Sequence, residues 1–224
     1  MLFYHSNKWG NPGYGLTRNT IITIYKGAKA VNDFTHIVVT PGKPVQVQLN
    51  PTTYPLIGKG LQGAVFKLSD DRCVKIYSKK IYCLRENLVL QQVSRKSTIF
   101  PAVYETGEKY IIMEYLNGPS LQEHLEGSGT ISEALTREIL NLITELKRLQ
   151  FMRIDFALRH TIFDKDRKLK IIDHVNSFRI QRSYPKRLFK DLKQLGLLTL
   201  FLEHVNNLEP EYYEQWQKSL KKMG

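Results

Sequence analysis

Gly58, Gly60 and Gly63, in the run Gly58-Lys59-Gly60-Leu61-Gln62-Gly63-Ala64-Val65, have the spacing at which backbone amides can approach phosphate oxygens. A side chain at such positions would collide with the phosphate. A helix directly after the run would make it a dinucleotide-binding turn. Here Val65-Phe66-Lys67-Leu68 continues as a strand, so the run reads as a strand–loop–strand flap. The next strand, Cys73-Val74-Lys75-Ile76, carries a lysine among apolar residues, and a buried amine needs an anionic partner. Glu86, on the helix that follows, can supply it. In that arrangement Lys75 holds the α- and β-phosphates of a nucleotide while Glu86 orients it through an ion pair. Taken singly, these residues leave a generic glycine turn and a solvent-facing lysine open.

A flap, then a strand lysine, then a helix glutamate is the order found in protein kinases, and the chain resembles that family. Ile111-Ile112-Met113-Glu114-Tyr115-Leu116 is similar to the family's last N-lobe strand and hinge. The resemblance implies Met113 as gatekeeper, backbone groups from Glu114 to Leu116 facing adenine, and Val65 beside the nucleotide. Arg153-Ile154-Asp155-Phe156-Ala157-Leu158-Arg159-His160 resembles the catalytic loop, with Asp155 at the catalytic aspartate. Eighteen residues on, Asp173-His174-Val175 resembles the metal-binding Asp-Phe-Gly stretch. Asp191 and Gly196 match a helix-borne aspartate and glycine that brace the loop. The match runs over residues 58–196, about 60% of the chain.

Several positions depart from the family. Arg153 replaces the histidine of the catalytic loop, removing an apolar packing element. Ala157 stands where serine/threonine kinases place a lysine near the transferred phosphate, and Arg159 could supply that charge instead. His160 replaces a metal-binding asparagine. Magnesium prefers oxygen whereas manganese tolerates nitrogen, so either a second metal site is lost or manganese is favoured. Eighteen residues separate Asp173 from Asp191, too few for a long activation segment and docking platform. The chain ends about 20 residues after Leu202, which leaves no room for the family's terminal helices. This compaction is similar to RIO kinases, lipopolysaccharide-core sugar kinases and small bacterial serine/threonine-kinase-like proteins.

The resemblance thus implies an ATP-dependent phosphotransferase with magnesium or manganese as cofactor, moving the γ-phosphoryl group to a hydroxyl. A protein serine or threonine is the first choice of acceptor. Asp155 and Arg159 act in transfer, Gly58, Gly60, Gly63, Lys75 and Glu86 hold phosphates, and Asp173 with His160 holds metal. The alternative is a pseudokinase that binds nucleotide as a scaffold. A nucleic-acid binder is a third reading, disfavoured because the basic segment has few aromatics suited to stacking.

These residues need elements to position them. The expected class is α+β, a two-lobed protein-kinase-like fold with a β-rich N-lobe and a reduced helical C-lobe. Residues 1–50 read as an N-terminal β extension that packs on the next lobe or serves interactions, with strands at Thr20–Tyr25, His36–Thr40 and Val45–Leu49. Residues 51–116 read as the N-lobe and 117–224 as the truncated C-lobe. Helix spacing is predicted over Ile81–Val93, after a capping box at Thr130 and Glu133, and as one core helix from Leu188 to Leu202. Thr161–Phe163 and Leu169–Ile172 read as short strands.

At 224 residues with 42% hydrophobic composition, the chain can bury a core, which excludes wholesale disorder. Cys73 and Cys83 form no disulfide framework. No signal peptide is visible, and Leu195–Leu202 falls short of the roughly 20 residues needed to cross a bilayer. The expectation is a soluble, cytoplasmic protein. A net charge of +12 favours anionic partners. Much of the excess lies between Lys165 and Lys193, including Arg167, Lys168, Lys170, Arg179, Arg182, Lys186, Arg187 and Lys190.

Overall fold

The computed structural model describes residues 33–93, 96–173 and 184–220. The expected strand at Thr20–Tyr25, together with His174, Val175, Arg179 and Arg182, lies outside the described residues. The architecture is α+β, with strands in the first half and helices in the second. Strands β1 (Val38–Thr40) and β2 (Gln46–Leu49) pair antiparallel. A five-stranded antiparallel sheet follows: β3 (Leu56–Lys59), β4 (Gly63–Lys67), β5 (Arg72–Tyr77), β6 (Val103–Thr106) and β7 (Tyr110–Glu114), in spatial order β3-β4-β5-β7-β6. Helix α1 (Lys80–Val93) connects β5 to β6. Beyond β7 come α2 (Leu121–Ser128), α3 (Glu133–Arg148), the hairpin β8 (Thr161–Phe163) and β9 (Leu169–Ile171), then α4 (Lys186–Gln194), α5 (Leu198–Leu208) and α6 (Pro210–Leu220).

Strand β5 organises both sides of the sheet, because successive side chains point to opposite faces. Val74 and Ile76 join Ala64, Phe66 and Ile112 in a core that is covered by Ile37, Val39 and Val45. The segment before β3 therefore covers the outer face of the sheet. Cys73 and Tyr77 belong to the other, larger cluster, which runs through α1, β7, α3 and the C-terminal helices. Lys75 shares their face by the same period.

Helix α1 turns Cys83, Glu86, Leu90 and Val93 inward at helical spacing. Ile81, Leu84 and Leu88 are exposed on its other side. Its inward face thus carries a carboxylate among apolar residues, because that face must reach a partner on β5.

Three expectations need correction. The capping box falls on α2, where the Ser120 hydroxyl accepts from Glu123 N and the Glu123 carboxylate accepts from Ser120 N. Helix α3 is instead capped by Ser132, whose hydroxyl accepts from Leu135 N at 3.1 Å. Thr130 lies two residues ahead of the actual cap, since Glu133 is already the first helical residue. The apolar series from Leu188 to Leu202 is two helices, broken where Gly196 adopts φ 73°, a conformation that a β-carbon disfavours. The chain does carry a further terminal helix, α6: Trp216 is fully buried, stacked on Tyr212 and edge-on to Phe189. Burying an aromatic of that size contributes about 3 kcal/mol, enough to dock a short helix.

Candidate active site

The Lys75 amine donates to Glu86 Oε2 at 2.6 Å, and Glu86 is only 2% exposed. In-register pairing places Lys75 opposite Val65 on β4 and Ile111 on β7, so it stands mid-sheet. The same amine is 3.7 Å from Asp173 Oδ1, in the segment leaving β9. Burial by itself would lower the Lys75 pKa, but the Glu86 and Asp173 carboxylates outweigh it and hold the amine above its ordinary value. Tyr77, two residues along β5, donates its hydroxyl to the same Glu86 Oε2 at 2.9 Å.

Asp173 sits at φ 67°, a left-handed conformation that aspartate tolerates better than most residues. Its other oxygen is 3.8 Å from His160 Nδ1. Burial holds the His160 imidazole below its ordinary value against the pull of Asp173, with the Arg159, Lys75 and Arg187 charges adding to burial. The ring is therefore neutral near pH 7, and its nitrogens can coordinate. Among the described residues no group of three or more His, Cys, Asp or Glu side chains could hold a metal unaided. A carboxylate and an imidazole nonetheless fit manganese, which tolerates nitrogen and can draw its other ligands from phosphate oxygens and water, whereas magnesium would use the carboxylate alone.

The loop from Phe151 to His160 is anchored by buried Ile154, Phe156 and Leu158. Asp191 on α4 accepts from Leu158 N at 3.0 Å, which ties the loop to the helix. Asp155 is buried with its two oxygens differently engaged. Oδ2 accepts from the Arg153 guanidinium at 3.1 Å, while Oδ1 accepts from the backbone N–H of Arg187 in the first turn of α4. Asp155, His160, Asp173, Arg153 and Arg187 line one pocket. Arg159 is exposed and is not among the residues lining it, whereas Arg187 is.

The glycines divide by environment. A β-carbon on Gly63 would stand 2.5 Å from the Ile76 carbonyl oxygen, so the sheet itself requires this glycine. Gly58 and Gly60 have open space on that side, with nothing in the protein closer than 3.9 Å. Val45 N donates to Gly60 O at 2.9 Å, fastening the turn to the covering segment.

At the end of β7, Met113 is buried opposite Cys73, whose thiol burial pushes up to about 12. Leu116 is half-buried. Both Glu114 carboxylate oxygens lie 2.7 Å from Lys170 Nζ on β9. Lys170, grouped by charge counting with a basic face, is thus an internal ion-pair partner. Lys165, Arg167, Lys168, Lys186 and Lys190 are exposed. Gly118 allows the chain to cross β8, since a β-carbon there would stand 2.2 Å from Phe163 O.

Lys75, Glu86 and Asp173, singled out in the sequence, are neighbours in space, while Tyr77 and the bond from Arg153 to Asp155 were not expected. Tyr77 had a signal, because it lies two residues from Lys75 on one strand and so on the same side.

No protein-family model matches the chain. Over 123 residues it is 24% identical to a Bacillus subtilis protein named as a candidate serine/threonine-protein kinase, YrzF, covering 53% of this chain and 57% of that protein. It is 29% identical over 138 residues to the Caenorhabditis elegans serine/threonine-protein kinase akt-1, covering 53% and 25% respectively. Over 182 residues it is 22% identical to an Arabidopsis thaliana protein named as a candidate wall-associated receptor kinase-like protein, covering 72% and 40%. All three carry kinase names, and the chain spans from about a quarter to just over half of their lengths. No helix among the described residues is long and apolar enough to cross a membrane.

Proposed function

We propose that the chain is an ATP-dependent phosphotransferase of the protein-kinase-like superfamily, two-lobed, with a protein serine or threonine hydroxyl as acceptor. The observation that carries this reading is the Lys75 amine, 2.6 Å from Glu86 and 3.7 Å from Asp173, three groups brought in by β5, α1 and the segment after β9. An amine held between two acids is charged and aimed, ready to exchange one carboxylate contact for a phosphate. In this reading residues 51–116 form the nucleotide lobe and residues 117–224 the lobe that presents the acceptor, with residues 1–50 as an extension on the first.

Phosphoryl transfer depends mainly on positioning and charge stabilisation. Gly58 and Gly60, open on their outer side, and Gly63 form the flap over the phosphates. Lys75 grips the α- and β-phosphates and Glu86 orients it. Val65, Met113 and the backbone from Glu114 to Leu116 bound the adenine. Asp173 with His160 would hold a divalent metal, which would supply neutralising charge to the phosphates. Asp155 accepts or orients the acceptor hydroxyl, and beyond its partner Arg153 the exposed Arg159 and the pocket-lining Arg187 are further cations around His160.

A second reading, a nucleotide-binding pseudokinase, has one specific observation in its favour: both oxygens of Asp155 are already engaged. A carboxylate offers about four lone-pair directions, however, so an incoming hydroxyl still finds an acceptor site. Two measurements separate the readings. Saturating ATP with magnesium or manganese should raise the melting temperature by roughly 5–10 °C, given about 2.7 kcal/mol at a hundredfold excess over Kd. Labelled ATP should then transfer its γ-phosphoryl to the chain or to an added protein. A shift without transfer selects the scaffold, and no shift in either metal overturns nucleotide binding.

A further inference from the structure

Tyr77 belongs to no motif that suggested the site, yet it is fully buried and hydrogen-bonds the Glu86 oxygen that also receives Lys75. We infer that Tyr77 is a positioning residue that sets how firmly Glu86 holds Lys75, and so how readily Lys75 turns to a phosphate. This rests on the nucleotide reading above and goes beyond it.

The geometry supports this on three counts. Tyr77 and Lys75 lie two apart on β5, so both side chains rise from the same face, toward α1. The Tyr77 ring also flanks the amine, with Lys75 Nζ 5.3 Å from its centroid. Along α1, Cys83 Sγ contacts the carbonyls of Gly107 and Tyr110, and Lys80 pairs with Glu108. The tie at Glu86 is thus the last in a series at positions 80, 83 and 86, three residues apart, joining the helix first to the turn between β6 and β7 and then to the strands.

Burial, reinforced by Glu86, raises the Tyr77 pKa well above its ordinary value, so the hydroxyl remains a donor at any working pH. Sharing Oε2 between two donors leaves part of the Lys75 charge free. Without the hydroxyl, Glu86 loses its anchor on β5 and also competes harder for Lys75. Both effects weaken the grip on phosphate.

The test is Tyr77→Phe in the full chain, which removes one O–H and keeps the ring. Titration with ATP and magnesium should give a Kd about five- to tenfold higher than for the unaltered chain, the size expected when one ordinary intramolecular hydrogen bond is lost. In a Glu86→Gln background the same change should alter Kd less than twofold, because its route through Glu86 is already cut. A purely structural tyrosine would cost the same in both backgrounds, and that result overturns the inference. So does an unchanged Kd for Tyr77→Phe in a chain that binds ATP and loses affinity on Lys75→Ala. An unaltered chain that binds no ATP overturns the nucleotide reading itself, and this inference with it.

Discussion

The sheet side and the helical side of the site each bury an acid beside a base, but they obtain the partner differently. At Lys75 the carboxylate comes from another element, Glu86 on α1, and the amine keeps a second, looser contact with Asp173. At Asp155 the partner is Arg153, two residues away in the same loop, and the remaining oxygen is taken by a backbone amide of α4. One cation is held with a contact to spare, while the other pair is closed on itself. The first arrangement suits a group that must grasp an incoming phosphate. The second suits a group that must keep one orientation. Nucleotide binding and transfer should therefore be separable by mutation.

The sharpest break is Asp155→Asn. Transfer should fall by about 10²–10⁴-fold, the range for losing a positioned proton acceptor. ATP affinity, measured by titration, should stay within threefold. Equal loss of both would mean that the two sides are one unit.

Arg153→Ala tests the closed pair through stability. It leaves the Asp155 carboxylate buried without its guanidinium, which costs about 3 kcal/mol, or roughly 6–12 °C in melting temperature at this chain length. Removing both Arg153 and Asp155 should cost less than the sum of the single changes. An additive result would show that the pair contributes no coupling.

Lys75→Ala should lower the melting temperature, because it leaves Glu86 buried without its amine. In the folded protein it should raise Kd for ATP about 10- to 100-fold, as for loss of a charge-assisted contact. A normal Kd would remove Lys75 from the phosphates.

The glycines give the smallest effects. Gly63→Ala should lower the melting temperature by a few degrees, because its β-carbon meets Ile76 O at 2.5 Å and overpacking typically costs about 1–3 kcal/mol. Gly58→Ala, with open space at that position, should leave the melting temperature within a degree and weaken ATP instead. The reverse pattern would exchange their roles.

Much of this organisation was legible in the residues because it is local. Short apolar runs placed β4 and β5 within a residue or two, and helical spacing placed α1 and α3. Lys75 was legible as an amine in an apolar strand, where burial demands a partner such as Glu86, whereas Asp155 and Asp173 were reached only through the resemblance to a family. Helix ends were less legible: an apolar series continues through Gly196, and only a left-handed backbone there shows that α4 and α5 are separate.

The amino-acid order alone determined which residue types could handle a triphosphate and in which elements they sit. Tertiary structure alone decided which charges meet. Lys170 carries the same charge as Lys168 yet turns inward to Glu114, and Arg153 closes on Asp155 instead of merely replacing a packing group. The reason is physical: periodicity is a property of neighbouring residues, whereas an ion pair depends on the distance and burial of groups that only packing brings together.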